Sequence, residues 1–273
     1  MAFGDNGMGT LTSVLILWAF AALIMFVFFL IQLRTQDATL VDVVWAGALA
    51  LAACFYAATG TGDVGRRVLL ALLGGTWGLR LALYLIMRSV GRPEDGRYAI
   101  LRKKWGDSAS RSFFFFYQAQ ASWVVLFAIP FLVVSRNGRP LWVWYDFVAV
   151  AIWIAAVAGE AIADSQLNRF RADPDQHGKT CRIGLWKYSR HPNYFFEWLH
   201  WFTYVLLAIG WKWWWVSLSG PVVMLLFLYK VTGIPYTEKR ALQSRGDDYR
   251  RYQQSTSAFI PWFPKADKGE KDN

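Results

Sequence analysis

Seven apolar runs, each long enough to cross a bilayer, restrict this chain to very few folds. They fall at residues 11–32, 39–58, 67–87, 113–134, 141–163, 194–210 and 213–233. In hydrocarbon every backbone N–H and C=O needs a partner within the protein, so only helices and closed barrels cross. Runs this long and continuous match the roughly twenty residues of a spanning helix and exceed the ~9–11 of a barrel strand. The expected fold is therefore all-α, an integral membrane bundle of seven transmembrane helices. It reads as one domain over residues 1–264, followed by a polar tail, 265–273, expected to be disordered. Composition agrees: 18 % of residues are charged, against about a quarter in soluble domains. The first run has no basic leader and no small-residue cleavage site, so it is expected to be a retained span rather than a signal peptide.

Charge then orients the bundle. With seven spans the termini lie on opposite sides. The segments containing Arg34, Arg88–Arg111, Arg169–Arg190 and Lys239 onward hold 22 Lys and Arg, and the opposite loops hold 5, namely Arg66, Arg67, Arg136, Arg139 and Lys212. Basic loops stay cytoplasmic, so the N-terminus is expected outside and the C-terminus in the cytoplasm. The same rule accounts for a net charge of +10 without nucleic acid. Cys54 lies in an apolar run and Cys181 in a polar loop, which fits neither a disulfide nor a metal site. Trp-rich WKWWW at 211–215 reads as an interfacial belt.

Ionisable residues within spans are costly and mark candidate sites. Asp42 opens the second span and Arg80 lies inside the third. Either they pair with each other, or they face a polar cavity with Trp45, Trp77 and Tyr84. Positions 77, 80, 81 and 84 share one helix face. After the fifth span, ADSQLNRFR places Asp164, Asn168 and Arg171 on one face, a set suited to ribose hydroxyls, an amide and a phosphate, or else simply to a solvated helix end. Lys179 and Arg182 follow, and then GLWKYSRHPNYFFEW. Pro192 fits the first turn of the next span, and Arg190 and His191 at that helix start suit a pyrophosphate. No glycine-rich phosphate fingerprint is present. Glu238, Lys239, Arg240, Tyr249 and Tyr252 lie in an amphipathic segment that would otherwise only anchor at the membrane surface.

GLWKYSRHPNYFFEW, with ADSQLNRFR upstream and YTEKRAL…GDDYRRYQQSTSAFIPWFP downstream, resembles the steroid 5α-reductase family. VDVVWA, TWGLRLALY and GRPEDGRYAILRKKWG are similar to its bacterial membrane branch, and the likeness spans most of residues 39–264. The RHPNY core also resembles isoprenylcysteine carboxyl methyltransferases, which use S-adenosylmethionine, and sterol reductases, which use NADPH. The reductase resemblance implies a bacterial inner-membrane enzyme that reduces the Δ4 double bond of a 3-oxo-Δ4 steroid or similar lipophilic enone arriving from the bilayer. Hydride would reach carbon 5 and a proton carbon 4. It implies NADPH, with cofactor positions at Arg88, Arg92, Arg97, Asp164, Asn168, Arg171, Lys179, Tyr188, Arg190, His191, Asn193, Tyr194, Glu197, Tyr236 and Glu238. Lys179 would take the 2′-phosphate. No metal and no nucleic acid is expected. Animal members carry a Glu in the second span and a Tyr in the third. Here Asp42 best matches the acid, and Trp77 and Tyr84 both lie near the Tyr position. Tyr84, or a protonated Asp42, would stabilise the developing enolate, with Trp45, Trp77 and Arg80 lining the substrate site. The alternative is an S-adenosylmethionine-dependent membrane methyltransferase, and outside the enzymes, a lipid- or sterol-binding scaffold.

Overall fold

The computed structural model describes residues 8–231 and 233–265, and among these every regular element is helical. The expected tail, 265–273, lies outside the described residues apart from Lys265. Ten α-helices run in chain order: α1 Thr10–Thr35, α2 Leu40–Thr59, α3 Val64–Ser89, α4 Gly96–Trp105, α5 Ala109–Ser135, α6 Trp144–Ala172, α7 Pro192–Ala208, α8 Ser219–Leu226, α9 Ile234–Arg245 and α10 Asp247–Ser255. Among the described residues six stretches are long and apolar enough to cross a membrane: Thr10–Thr35, Leu40–Thr59, Val64–Ser89, Gly96–Ser135, Trp144–Ala172 and Trp214–Arg245. The chain is an integral membrane protein.

The expected span 194–210 differs from the others. It forms α7, with 17 residues, about 25 Å at helical rise, shorter than the ~30 Å hydrocarbon core. Its start is fixed by Pro192, whose missing N–H costs nothing in a first turn, and the chain leaves it through Gly210 at φ 97°. The last expected span, 213–233, is composite: a 3-10 turn over Trp214–Leu218, then α8, then a π-helical turn over Phe227–Val231.

The chain divides into two compact units, Met1–Val143 with Tyr204–Gly220, and Trp144–Thr203 with Pro221–Asn273. In the first unit α1 shows how a helix that is apolar all round is used. Its protein-facing stripe is Ser13, Leu17, Ala21, Met25, Phe29 and Gln32, spaced by fours and a three, the periodicity of one helix face. Most of the remaining Leu, Phe and Trp side chains, among them Leu15, Trp18, Phe20 and Leu23, are exposed and are suited to lipid. Helices α2 and α3 approach closely because their facing residues are small. A Cβ on Gly74 would lie 2.6 Å from the Ala53 Cβ, and one on Gly78 would lie 2.9 Å from the Ala46 carbonyl oxygen. Such small-residue faces replace the hydrophobic drive that is absent between helices in lipid.

Arg66, counted above as a loop cation, is fully buried. Its guanidinium donates to the carbonyls of Arg139 at 2.7 Å, Leu207 at 3.0 Å and Pro140 at 3.2 Å. Asn137 adds bonds to Leu207 and Ile209 at 3.0 and 3.1 Å. Both side chains satisfy carbonyls at the C-terminal end of α7, where the helix leaves acceptors unpaired and a cation suits the dipole.

Candidate functional site

In the second unit, α6 has 29 residues, about 43 Å, so its polar last turns continue the helix beyond a bilayer's apolar depth. ADSQLNRFR is thus helical, and Asp164, Asn168 and Arg171 share a face at spacings of four and three. Asp164 is buried, while Asn168 and Arg171 are exposed. The loop after α6 returns to it: the Trp186 indole donates to the Ala163 carbonyl at 2.9 Å, and the Leu185 N–H donates to Gln166 at 2.9 Å. This fixes the approach to α7. Asn193 then donates to Asp164 at 3.2 Å. Gly159 lets α7 pack on α6, since a Cβ there would meet the Phe196 ring at 2.5 Å.

The head of α7 is also bound by the C-terminal helices. Arg190 Nε donates to Glu238 of α9 at 2.6 Å, and its Nη1 donates to the carbonyls of Gln253 and Thr256 at 2.9 and 2.8 Å. Gln253 donates to the other oxygen of Glu238 at 2.9 Å, and the Tyr249 hydroxyl reaches Glu238 at 3.5 Å. The His191 Nε2 lies 3.3 Å from Glu238, and its ring stacks on Tyr194 with 5.3 Å between centroids and 5° between planes. The Tyr194 hydroxyl lies 3.3 Å from that of Thr237. Burial lowers the His191 pKa and Glu238 only partly offsets it, so a neutral ring donating from Nε2 is the fitting form near pH 7.

Sequence reasoning expected Arg190 and His191 as a pyrophosphate grip. The structure uses Nε and Nη1 of Arg190, and the His191 ring, to hold α9 and α10. Of the other expected positions, Asp164, Asn193, Tyr194 and Glu238 join this cluster. The Tyr236 hydroxyl is buried with no hydrogen-bond partner among the described residues. Lys179 is exposed in the loop. Tyr188 packs on Phe263, and its carbonyl accepts from the Trp262 N–H at 2.9 Å. Glu197 lies half-buried on α7.

The first unit holds a second polar cluster. Asp42 accepts from Arg97 at 2.7 Å through one oxygen and from the Tyr98 hydroxyl at 2.7 Å through the other. Its partners are these two residues of α4, not Arg80, which corrects the pairing considered above. Arg97 also donates to Asp95 at 3.0 Å, and Arg88 lies 3.7 Å from Asp95. Burial alone would raise the Asp95 carboxyl, but hydrogen bonding and charge from Arg97 outweigh it and hold it below the usual range. Glu94 accepts from Arg102 at 2.8 Å and from the Ala38 N–H at 2.9 Å. Arg92 is exposed. On α3, Trp77 is fully buried and Arg80 and Tyr84 are half-buried, while Trp45 of α2 meets Phe127 edge-on with 5.2 Å between centroids.

Tyr98, Asp95, Glu94 and Arg102 were not foreseen. The signal available was the dense run of opposite charges in GRPEDGRYAILRKK, which exceeds what an interfacial anchor needs.

Together these features define an all-helical integral membrane protein with polar clusters formed beside its apolar spans. The chain belongs to the DUF1295 family, described as a protein family of unknown function, which it matches over residues 28–256. No curated protein and no solved structure matches it.

Proposed function

We propose that this protein is an NADPH-dependent reductase of a lipophilic enone, of the 3-oxo-Δ4 steroid type. One observation carries the reading: polar side chains from α6, α7 and α9, far apart in sequence, converge at the head of α7. Asp164 and Asn193 bond each other there, and Tyr194 and Glu238 bracket His191. The donor set suits a dinucleotide. Asp164 and Asn168 would hold ribose hydroxyls, the buried Tyr236 hydroxyl has capacity for one further bond, and Arg171 and Lys179 would hold phosphates. When bound, NADPH supplies the hydride. In the other unit, Tyr84 would donate to the enone oxygen as charge develops there, while Trp45, Trp77 and Arg80 would shape an apolar slot for a flat substrate taken from the bilayer. Asp42 uses both oxygens as acceptors, so it acts by holding Arg97 and Tyr98 unless α4 releases it.

One observation favours a second reading, a methyltransferase using S-adenosylmethionine. Glu238 and two backbone carbonyls occupy Nε and Nη1 of Arg190, which leaves less positive charge at the head of α7 for a pyrophosphate.

The test is to denature detergent-purified protein and identify any released small molecule by mass spectrometry. Intact protein is titrated with NADPH, NADH and S-adenosylmethionine in parallel. Release of NADP(H), or saturable binding of NADPH tighter than NADH, supports the reductase. Binding of S-adenosylmethionine alone transfers the protein to the second reading.

A further inference from the structure

At the end of the first unit where α1 begins and α5 ends lies an open-sided pocket of about 170 Å³. Thr10, Ile129, Leu132, Val133, Val216 and Trp213 form its walls, with Arg136 and Trp211. The walls are almost entirely apolar, yet a guanidinium stands among them. Arg136 Nη2 donates to the Met8 carbonyl at 2.6 Å. Its Nε is buried and has no hydrogen-bond partner among the described residues. The guanidinium lines the pocket, and among the described residues its hydrogen-bond partner is a neutral carbonyl, so its charge calls for an anionic partner.

The location narrows the choice. Trp213, Trp214 and Trp215 are exposed beside the pocket, and clustered Trp marks the level of lipid headgroups. Below that level the exposed Leu and Ile of α1 face hydrocarbon. An occupant here must be apolar along Ile129, Leu132 and Val216 and must end in an acceptor at Arg136. We propose that this pocket binds one anionic phospholipid, its phosphate accepting from the Arg136 guanidinium and the start of an acyl chain lying in the apolar groove. Complementary charge and matching depth both identify the lipid as the occupant. The site is independent of the reductase reading.

The test places the full-length protein in nanodiscs of equal parts phosphatidylglycerol and digalactosyldiacylglycerol, a bilayer lipid without phosphate. Lipid retained on the protein after release is then counted by native mass spectrometry. Wild type is expected to retain phosphatidylglycerol about tenfold over the phosphate-free lipid, the effect of one charge-assisted bond. Arg136→Gln removes the donor and should abolish the preference. Val216→Trp fills the groove while keeping the guanidinium and should abolish it too, which covers the case in which the Arg136 variant is unstable. Equal retention of both lipids by wild type, or a preference unchanged in both variants, overturns the proposal. So does a rise in retained phosphatidylglycerol on deletion of residues 2–7, because the pocket would then belong to the chain's own N-terminus.

Discussion

Each unit holds an arginine bound to an acid from a distant segment, but the two arginines are held differently. Arg190 bonds one carboxylate and two backbone carbonyls, and the Arg190 and Glu238 side chains are 11 % and 16 % exposed. Arg97 bonds only carboxylates, Asp42 and Asp95, and the Arg97 and Asp42 side chains are 31 % and 26 % exposed. The first is a clasp: a largely covered cation satisfying the end of α10, where removal of any partner strands another. The second is an ionic cluster that solvent reaches and that can exchange partners. Rigidity is therefore expected at the head of α7 and adaptability around α4. The sharpest way to break this contrast is Glu238→Ala. It leaves Arg190 and His191 without their shared acceptor, and loss of one partner costs up to about 3–5 kcal/mol when a pair is fully buried, an upper bound for this largely covered one. Thermal unfolding in detergent should show a large fall in Tm, with a smaller one for Glu238→Gln.

The equivalent change in the other cluster should be milder. Partly exposed pairs contribute about 0.2–1 kcal/mol, so Arg97→Ala should lower Tm little. Asp42→Asn keeps the shape and loses the charge. If the proposed reductase reading holds and Asp42 only holds α4, reduction should continue at a similar rate and Tm should drop slightly. A fall in rate of about a hundredfold or more at nearly unchanged Tm would instead place Asp42 among the reacting groups.

How far these clusters could be read from sequence differs for physical reasons. Spans and their polar ends were legible, because hydrocarbon imposes length and apolarity on each residue separately. Asp164, Asn193 and Glu238 drew attention because each lies in a polar stretch at the end of an apolar run. The partners were not. Asp42 was weighed against Arg80, which is near in the bundle's expected order, but Arg97 reaches it from α4, a helix that the charge-rich loop 88–112 concealed. Arg66 counted as a loop charge because nothing in its neighbours reveals that α7 stops short and offers its carbonyls. The run 194–210 has the composition of a span and yields only 17 helical residues, since capping and turn geometry, not hydropathy, set its ends.

Acid should separate the two regions. Burial places the folded pKa of His191 below its usual 6.5. A group depressed in the folded state contributes stability that is present above its unfolded pKa and is lost as pH falls through the folded value. Unfolding temperature should therefore begin to fall as pH drops below about 6.5, and His191→Gln should flatten that part of the profile. Asp95 is also depressed, from a usual value of 3.8, so its contribution persists until far lower pH. A single transition near pH 4, identical in wild type and His191→Gln, would show that the clasp does not depend on a neutral ring.

The smallest expected effect lies on the exposed rim of the site. Lys179 stands in the loop before Thr180, whose N–H donates to Asp248 at 2.8 Å. Arg182 donates to the same Asp248 at 2.7 Å. That pairing anchors the loop to α10 and leaves the Lys179 ammonium at its surface, where its loss removes no contact within the fold. Lys179→Ala should therefore leave Tm unchanged. If the ammonium meets a 2′-phosphate, NADPH affinity should fall about tenfold, roughly 1.4 kcal/mol, while NADH affinity stays constant. Arg182→Ala is the matching control: it loosens the anchored loop and should weaken both nucleotides equally. An equal loss for both nucleotides in Lys179→Ala would mean that the ammonium acts on the loop rather than on the phosphate.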